Sequence, residues 1–221
     1  MKINDIKEKL NSKESYINGW ERMKRASIII PLIDINEEVH ILFQVRAKKL
    51  KSQPGDVCFP GGKIDKFETP KEAALREIDE ELGLKDVEII KEMDILIRHD
   101  GLIIHPFVSM VKNIDKLDIN EDEVEEIFYI PLSYLLEYTP MEVKNKLIIE
   151  RGENFPYDLI EGGKNYQFKT GEYISTFYQY KDYVIWGITA SMLKDFINNI
   201  KLFGSIVLEG LKKFIFLSNS K

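Results

Sequence analysis

Apolar positions along the chain change period several times, and each change marks an element. Ala26–Ile33 is short, apolar and β-branched, which predicts a buried strand, and Val39–Val45 predicts a second. Asn36-Glu37-Glu38 between them reads as a hairpin loop. A polar segment, Lys48–Asp56, follows and is closed by Phe59-Pro60-Gly61-Gly62. A well-marked helix comes next. Thr69 is the N-cap, Pro70 the first helical residue, Glu72 completes a capping box, and Gly83 supplies the stop. Val87–Ile90, Leu102–Val111 and Glu125–Ile130 read as strands, and Pro131–Glu137 as a short helix. Phe155–Ile160 and Asn165–Phe168 flank Gly162-Gly163, a pattern that predicts a hairpin. Met192, Leu193, Phe196 and Ile200 give Thr189–Ile200 helical spacing. The apolar-rich Ile206–Leu217 carries Glu209, Lys212 and Lys213 and reads as a final helix or strand packed on the body. The class is α/β, with strands in local hairpins.

Composition narrows the function. The 221 residues are 44% hydrophobic and 31% charged, with a formal net charge of -6. No basic face dominates, so nucleic acid is not an expected partner. No run of about 18 apolar residues occurs, so no membrane span is expected. Met1–Lys13 is charged throughout and does not read as a signal peptide. The one cysteine, Cys58, excludes an intrachain disulfide and is expected to be a small buried hydrophobe. A reducing, cytoplasmic location fits. With no repeat and no long linker, residues 1–221 read as a single domain.

The chemistry gathers on the capped helix. Glu77, Glu80 and Glu81 stand at i, i+3 and i+4, which sets three carboxylates on one face, while Leu75, Ile78 and Leu82 lie on the other. Like charges at this spacing cost a few tenths of a kcal/mol per pair. A hard cation such as Mg²⁺, which prefers oxygen ligands, offsets that cost. Arg76 is placed to orient one carboxylate by a bidentate ion pair. Taken alone, the cluster describes a solvated acidic face better than a metal site, since charge runs are common on surfaces.

Its context resolves the choice. Gly62, Glu68 and the run Arg76-Glu77-Ile78-Asp79-Glu80-Glu81-Leu82-Gly83-Leu84 resemble the Nudix box, G-x5-E-x7-R-E-U-x-E-E-x-G-U, at all nine constrained positions. The resemblance implies a Nudix-type α/β/α sandwich with a mixed β-sheet. It also implies metal binding by Glu77, Glu80 and Glu81, support from Glu68 and Arg76, and close backbone approach of metal and phosphate at Gly61 and Gly62. The expected cofactor is Mg²⁺ or Mn²⁺, and the expected reaction is hydrolysis of a pyrophosphate bond in a nucleoside diphosphate derivative. The base that takes the proton from water varies in such proteins. Here the candidates are Glu80 and, beyond the box, Glu123, Glu125 and Glu126, with the loop His99–Gly101 as a further place to look.

A second resemblance bears on substrate. Leu42-Phe43-Gln44-Val45-Arg46-Ala47, then Lys51, Gly55 and Phe59-Pro60-Gly61-Gly62, are similar without gaps to the motif of coenzyme A pyrophosphatases. Phe43-Gln44 stands where that motif has Leu-Thr, and Lys51 where it has arginine. Lysine keeps the charge without the bidentate fork. Lys24-Arg25-Ala26, Asp122-Glu123-Val124 and Ile185-Trp186-Gly187-Ile188-Thr189-Ala190 extend the likeness over about residues 24–200. It implies coenzyme A or an acyl-coenzyme A as substrate, with Arg46 and Lys51 on its phosphates. Trp186 could stack on adenine, but a large aromatic beside Gly187 is expected in the core. The alternatives are a Nudix enzyme for ADP-ribose, a dinucleotide or a nucleoside triphosphate, and a non-catalytic nucleotide-sensing module. The expected partner is a small nucleotide substrate, and the chain is a monomer or a homodimer.

Overall fold

The computed structural model describes residues 2–12 and 16–218, with side chains up to 202. The elements run in chain order as α1 (Ile3–Asn11), β1 (Lys24–Ile35), β2 (Glu38–Arg46), β3 (Val57–Cys58), β4 (Gly61–Lys63) and α2 (Pro70–Leu82). They continue with β5 (Val87–Glu92), β6 (Leu96–Ile97), β7 (Leu102–Val111), β8 (Val124–Pro131) and α3 (Leu132–Glu137). Last come β9 (Met141–Leu147), β10 (Gly171–Tyr180), β11 (Tyr183–Trp186) and α4 (Gly187–Ser218). Two units divide the chain, Met1–Pro31 with Pro60–Asp118, and Leu32–Phe59 with Ile119–Lys221.

In the first unit, the N-terminal part of β1 pairs antiparallel with β4 and has β7 as its other neighbour. Contacts between β1 and β7 advance in the same chain direction, from Lys24 N–H on the Gly101 carbonyl to Ser27 Oγ on the His105 carbonyl, as parallel neighbours do. β5 and β6 pair antiparallel with β7, so the sheet is mixed. Ile103, Ile104, Phe107 and Val108 are buried in succession, which is why β7 shows no alternation. Helix α2 packs against β4 and β7. Ala73, Ala74, Ile78 and Leu82 face inward, with Leu75 half-buried. Each fully buried Ile or Leu contributes about 1.5–3 kcal/mol. The cap forms as expected, the Glu72 N–H donating to Thr69 Oγ1 (3.3 Å) and the Thr69 N–H to Glu72 Oε2 (2.8 Å). Gly83 closes the helix at φ 67°.

In the second unit, the end of β1 forms a hairpin with β2 around Asn36 and Glu37, both at positive φ, as a two-residue turn requires. β2 also pairs antiparallel with β3 and β8. β9, β10 and β11 make a separate three-stranded antiparallel sheet. α4 packs on β10 and β11 through Met192, Leu193, Phe196 and Ile197. Its backbone stays helical to Ser218, while the packing expected of Ile206–Leu217 lies outside the described side chains. Among the described residues no helix is long and apolar enough to cross a membrane.

One expected element is corrected. Phe155–Ile160 and Asn165–Phe168 do not form a hairpin but 3-10 turns at Tyr157–Leu159 and Gly163–Asn165. The aromatic residues there are not alternating strand positions. Phe155 and Phe168 pack around the Arg151 guanidinium, which lies 3.3 Å from the Phe168 ring centre, with Tyr157 and Tyr166 edge-on to them.

Candidate active site

The box folds within the first unit as the turn Pro60–Gly62, the strand β4 and the helix α2. Chain and side chains meet closely there. The Gly61 N–H donates to Glu81 Oε2 at 3.0 Å. Glu81 is only 3% exposed, so the three carboxylates differ in their access to solvent. Glu81 turns inward onto the glycine backbone, Glu77 is half-buried, and Glu80 reaches solvent. A Cβ on Gly62 would stand 2.3 Å from Glu77 Oε1, and one on Gly61 would stand 2.3 Å from the Ser27 carbonyl oxygen. Gly61 therefore demands glycine on grounds of space, whereas a side chain at Gly62 requires the Glu77 carboxylate to shift.

Arg76 ties the cluster together. It grips Glu68 through two bonds, Nε to Oε1 (2.8 Å) and Nη2 to Oε2 (3.1 Å). Its Nη1 donates to both Glu77 Oε1 and Glu80 Oε2 at 2.9 Å, and Nη2 also reaches the Lys63 carbonyl. The expected bidentate pair thus falls on Glu68 rather than on a carboxylate of the i, i+3, i+4 set. The hydrogen bond from Arg76 holds the Glu68 carboxyl below the usual range, and the same carboxylate holds the guanidinium charged.

Glu68, Glu77, Glu80 and Glu81 set four carboxylates against one guanidinium, an excess of three negative charges among these residues. Among the described residues no three acidic, histidine or cysteine side chains form a ready metal cage. Arg76 holds Glu68, Glu77 and Glu80, and Glu81 is turned to Gly61. The donor set is nevertheless all hard oxygen, it carries more negative than positive charge among these residues, and Gly62 lets the Glu77 carboxylate lie directly against the backbone. That chemistry fits Mg²⁺ or Mn²⁺.

The other sequence candidates lie in the second unit. Arg46 ends β2, its N–H on the Asp56 carbonyl and its Nε on the Ser52 carbonyl at 3.3 Å. Lys51 is exposed in the loop that follows. Glu123 is exposed at the entry to β8, and its carbonyl accepts from the Ala47 N–H. Glu125 pairs with Lys48 at 3.1 Å, and that hydrogen bond pulls its carboxyl below the usual range, which makes it a poor base near neutrality. Glu126 lines a cleft and accepts a hydrogen bond from the Tyr183 hydroxyl. Burial, with Glu126 adding to it, raises the Tyr183 phenol above its usual range.

Two expectations about single residues change. Trp186 is 46% exposed on the cleft wall, not in the core, because it alternates with the buried Ile185 along β11. Cys58 is half-buried, within 3.6 Å of Gln44 Nε2. Sequence reasoning missed Phe177, Asp182 and Tyr183 in the same cleft. The signal was present as two aromatic runs, Phe177–Tyr180 and Tyr183–Trp186, but the turn between them carries Lys181 at φ 52° instead of a glycine or asparagine.

The chain matches the NUDIX domain over residues 23–151. It is 36% identical over 148 residues to peroxisomal coenzyme A diphosphatase NUDT7 of Mus musculus, covering 63% of this chain and 62% of that protein. It is 31% identical over 173 residues to Nudix hydrolase 3 of Caenorhabditis elegans, covering 76% and 69%. Peroxisomal coenzyme A diphosphatase ndx-8 of the same organism is 30% identical over 143 residues, covering 62% and 61%. The chain thus spans about three fifths of the length of the two coenzyme A diphosphatases. A domain match over more than half of the chain, on a mixed α/β framework that carries every box residue, places the chain in the Nudix family.

Proposed function

We propose that the chain is a pyrophosphohydrolase dependent on Mg²⁺ or Mn²⁺, cutting coenzyme A or an acyl-coenzyme A into 3′-phosphoadenosine 5′-phosphate and the corresponding 4′-phosphopantetheine. The observation that carries this reading is the box geometry, with the Gly61 N–H on Glu81 and Gly62 bare against Glu77. Support for the substrate comes from the ungapped motif Leu42–Gly62 and from the two relatives named as coenzyme A diphosphatases.

Glu77, Glu80 and Glu81 would hold the ion. When bound, it neutralises pyrophosphate charge and acidifies a water. The remaining work falls to the chain. Arg76 holds Glu77 and Glu80 aimed through hydrogen bonds from Nη1, so the two carboxylates are positioned before substrate arrives. The buried Glu81 fixes the Gly61 turn. Water adds to one phosphorus, the bridging P–O bond breaks, and the second phosphate leaves with the electron pair. The water proton passes to a carboxylate. Glu80, Glu123 and Glu126 are the candidates for that acceptor, whereas Glu125 is engaged by Lys48. Arg46 and Lys51 supply cations for substrate phosphates.

Lys51, where the coenzyme A motif has arginine, is the one observation favouring another Nudix substrate such as ADP-ribose. Turnover of coenzyme A, acyl-coenzyme A, ADP-ribose, NADH and nucleoside triphosphates, followed by liquid chromatography, separates the two readings. Preference for ADP-ribose over coenzyme A overturns the first.

A further inference from the structure

The second unit contains a cleft of about 610 Å³ whose walls combine two chemistries. Phe177, Tyr183 and Trp186 supply aromatic surface, and Asp56, Glu126 and Asp182 supply carboxylates. Among the described residues that line it there is no lysine, arginine or histidine. A phosphate or a free carboxylate would meet only like charge there. An uncharged planar group that donates hydrogen bonds meets both a stacking surface and acceptors.

The walls are held from behind. The Tyr183 ring lies face to face with Phe128, centroids 3.7 Å apart and planes 3° apart. Phe128 stacks on Phe43 at 5.5 Å, and Phe43 on Phe59 at 4.9 Å. Trp186 lies parallel to Phe177, 5° apart, with centroids at 6.3 Å. Trp186 is Cα-paired with Phe177 across the sheet, and Phe177 with Met141. Trp186 and Met141 are 46% and 60% exposed, so an indole is left open to solvent at the end of an apolar row. Cations stand next to the cleft along the chain. Val45 lines it and Arg46 follows, with the Gly55 N–H on the Arg46 carbonyl and the Arg46 N–H on the Asp56 carbonyl.

From this arrangement we propose that the cleft is an adenine subsite, in which the base stacks on Trp186, turns its exocyclic amine toward Asp56 and Asp182, and leaves its attached phosphate to Arg46. The inference rests on the proposed function only for the choice of nucleotide. It adds a specificity that reading lacks. Hypoxanthine replaces the amine with a carbonyl oxygen, which faces the same carboxylates as an unpaired acceptor.

The test uses the full chain and three ligands, adenosine 3′,5′-bisphosphate, its inosine counterpart and 4′-phosphopantetheine. Calorimetry gives affinity, and quenching of tryptophan fluorescence reports contact at Trp186, one of two tryptophans. The adenosine compound is expected to bind at least about tenfold more tightly than the inosine compound, and to quench. Trp186→Leu is expected to weaken adenosine bisphosphate by about tenfold, to abolish most of the quenching, and to leave 4′-phosphopantetheine unaffected. The proposal is overturned by equal affinity for the two bases, by wild-type affinity in Trp186→Leu, by quenching from 4′-phosphopantetheine instead, or by no binding of either bisphosphate. Coenzyme A turnover is measured in parallel. Base-selective binding without turnover overturns the proposed function alone, and turnover with base-blind binding overturns the cleft alone.

Discussion

Replacing Gly62 by alanine should separate catalysis from folding. The new Cβ would lie 2.3 Å from Glu77 Oε1, 2.4 Å from Cδ and 2.6 Å from Oε2. Contacts under 3 Å are not tolerated, so the Glu77 carboxylate must retreat by the order of 1 Å. It can do so, because it is the far end of a flexible side chain, at the expense of its bond from Arg76. Gly62 is not among the residues at positive φ, so alanine fits the backbone and gains up to about 1 kcal/mol by restricting the unfolded chain. Against this stands the weakened Glu77–Arg76 pair, so net stability should move by no more than about 1–2 kcal/mol. Activity should not survive so well, since a misplacement of about 1 Å costs on the order of 10²-fold. Gly61→Ala is the control. There the Cβ meets backbone, the Ser27 oxygen at 2.3 Å and Ile28 Cα at 2.7 Å, at φ +151°. The β1–β4 ladder has to part, and stability should fall by about 3 kcal/mol or more. Thermal melts and Mg²⁺-supported coenzyme A turnover read both effects. The reasoning is refuted if Gly62→Ala keeps turnover within about threefold of wild type, or loses as much stability as Gly61→Ala.

Glu81→Gln, which removes a charge with little change of shape, should lower turnover by at least about 10²-fold at saturating Mg²⁺, and near-normal turnover in a folded protein would remove Glu81 from the site. Arg76 depresses the Glu68 carboxyl, so that contribution to stability is present above the normal glutamate range and is lost as pH falls through the depressed value. Melts across this acid range should therefore show a decline in wild type that is flatter in Arg76→Met, and identical slopes would contradict the pairing. If Glu126 accepts the proton, Glu126→Gln should lose kcat and the acidic limb of the pH–rate profile together, and an unchanged profile returns the role to Glu80 or Glu123. Arg46→Ala should raise KM for coenzyme A roughly tenfold or more, and comparison with dephospho-coenzyme A tells which phosphate it reads, since a loss confined to coenzyme A marks the 3′-phosphate.

The box and its helix could be read from the sequence because their signals are local. Thr69, Pro70, Glu72 and Gly83 set the ends of α2, and the glycines and carboxylates follow at fixed intervals. What the spacing could not show was how the carboxylates divide. Periodicity places Glu77, Glu80 and Glu81 on one face, but the Gly61 turn captures Glu81 and Arg76 captures the other two. Those contacts span up to 20 residues and depend on how the turn returns to the helix. The β9–β11 sheet was missed for another reason. β9 is Met-Glu-Val-Lys-Asn-Lys-Leu, polar and exposed, and reads as a strand only once β10 is beside it. The exposed Trp186 follows from this, since its side depends on a register that sequence does not reveal.

Incubation of the chain with coenzyme A and Mg²⁺, with products separated by liquid chromatography and identified by mass, bears most directly on the central claim. The account predicts equimolar 3′-phosphoadenosine 5′-phosphate and 4′-phosphopantetheine, formed with Mg²⁺ or Mn²⁺, abolished by a chelator, and reduced by at least about 10²-fold in Glu81→Gln. Intact coenzyme A under conditions where ADP-ribose is cut would contradict the substrate, and cleavage indifferent to the chelator and to Glu81→Gln would contradict the site itself.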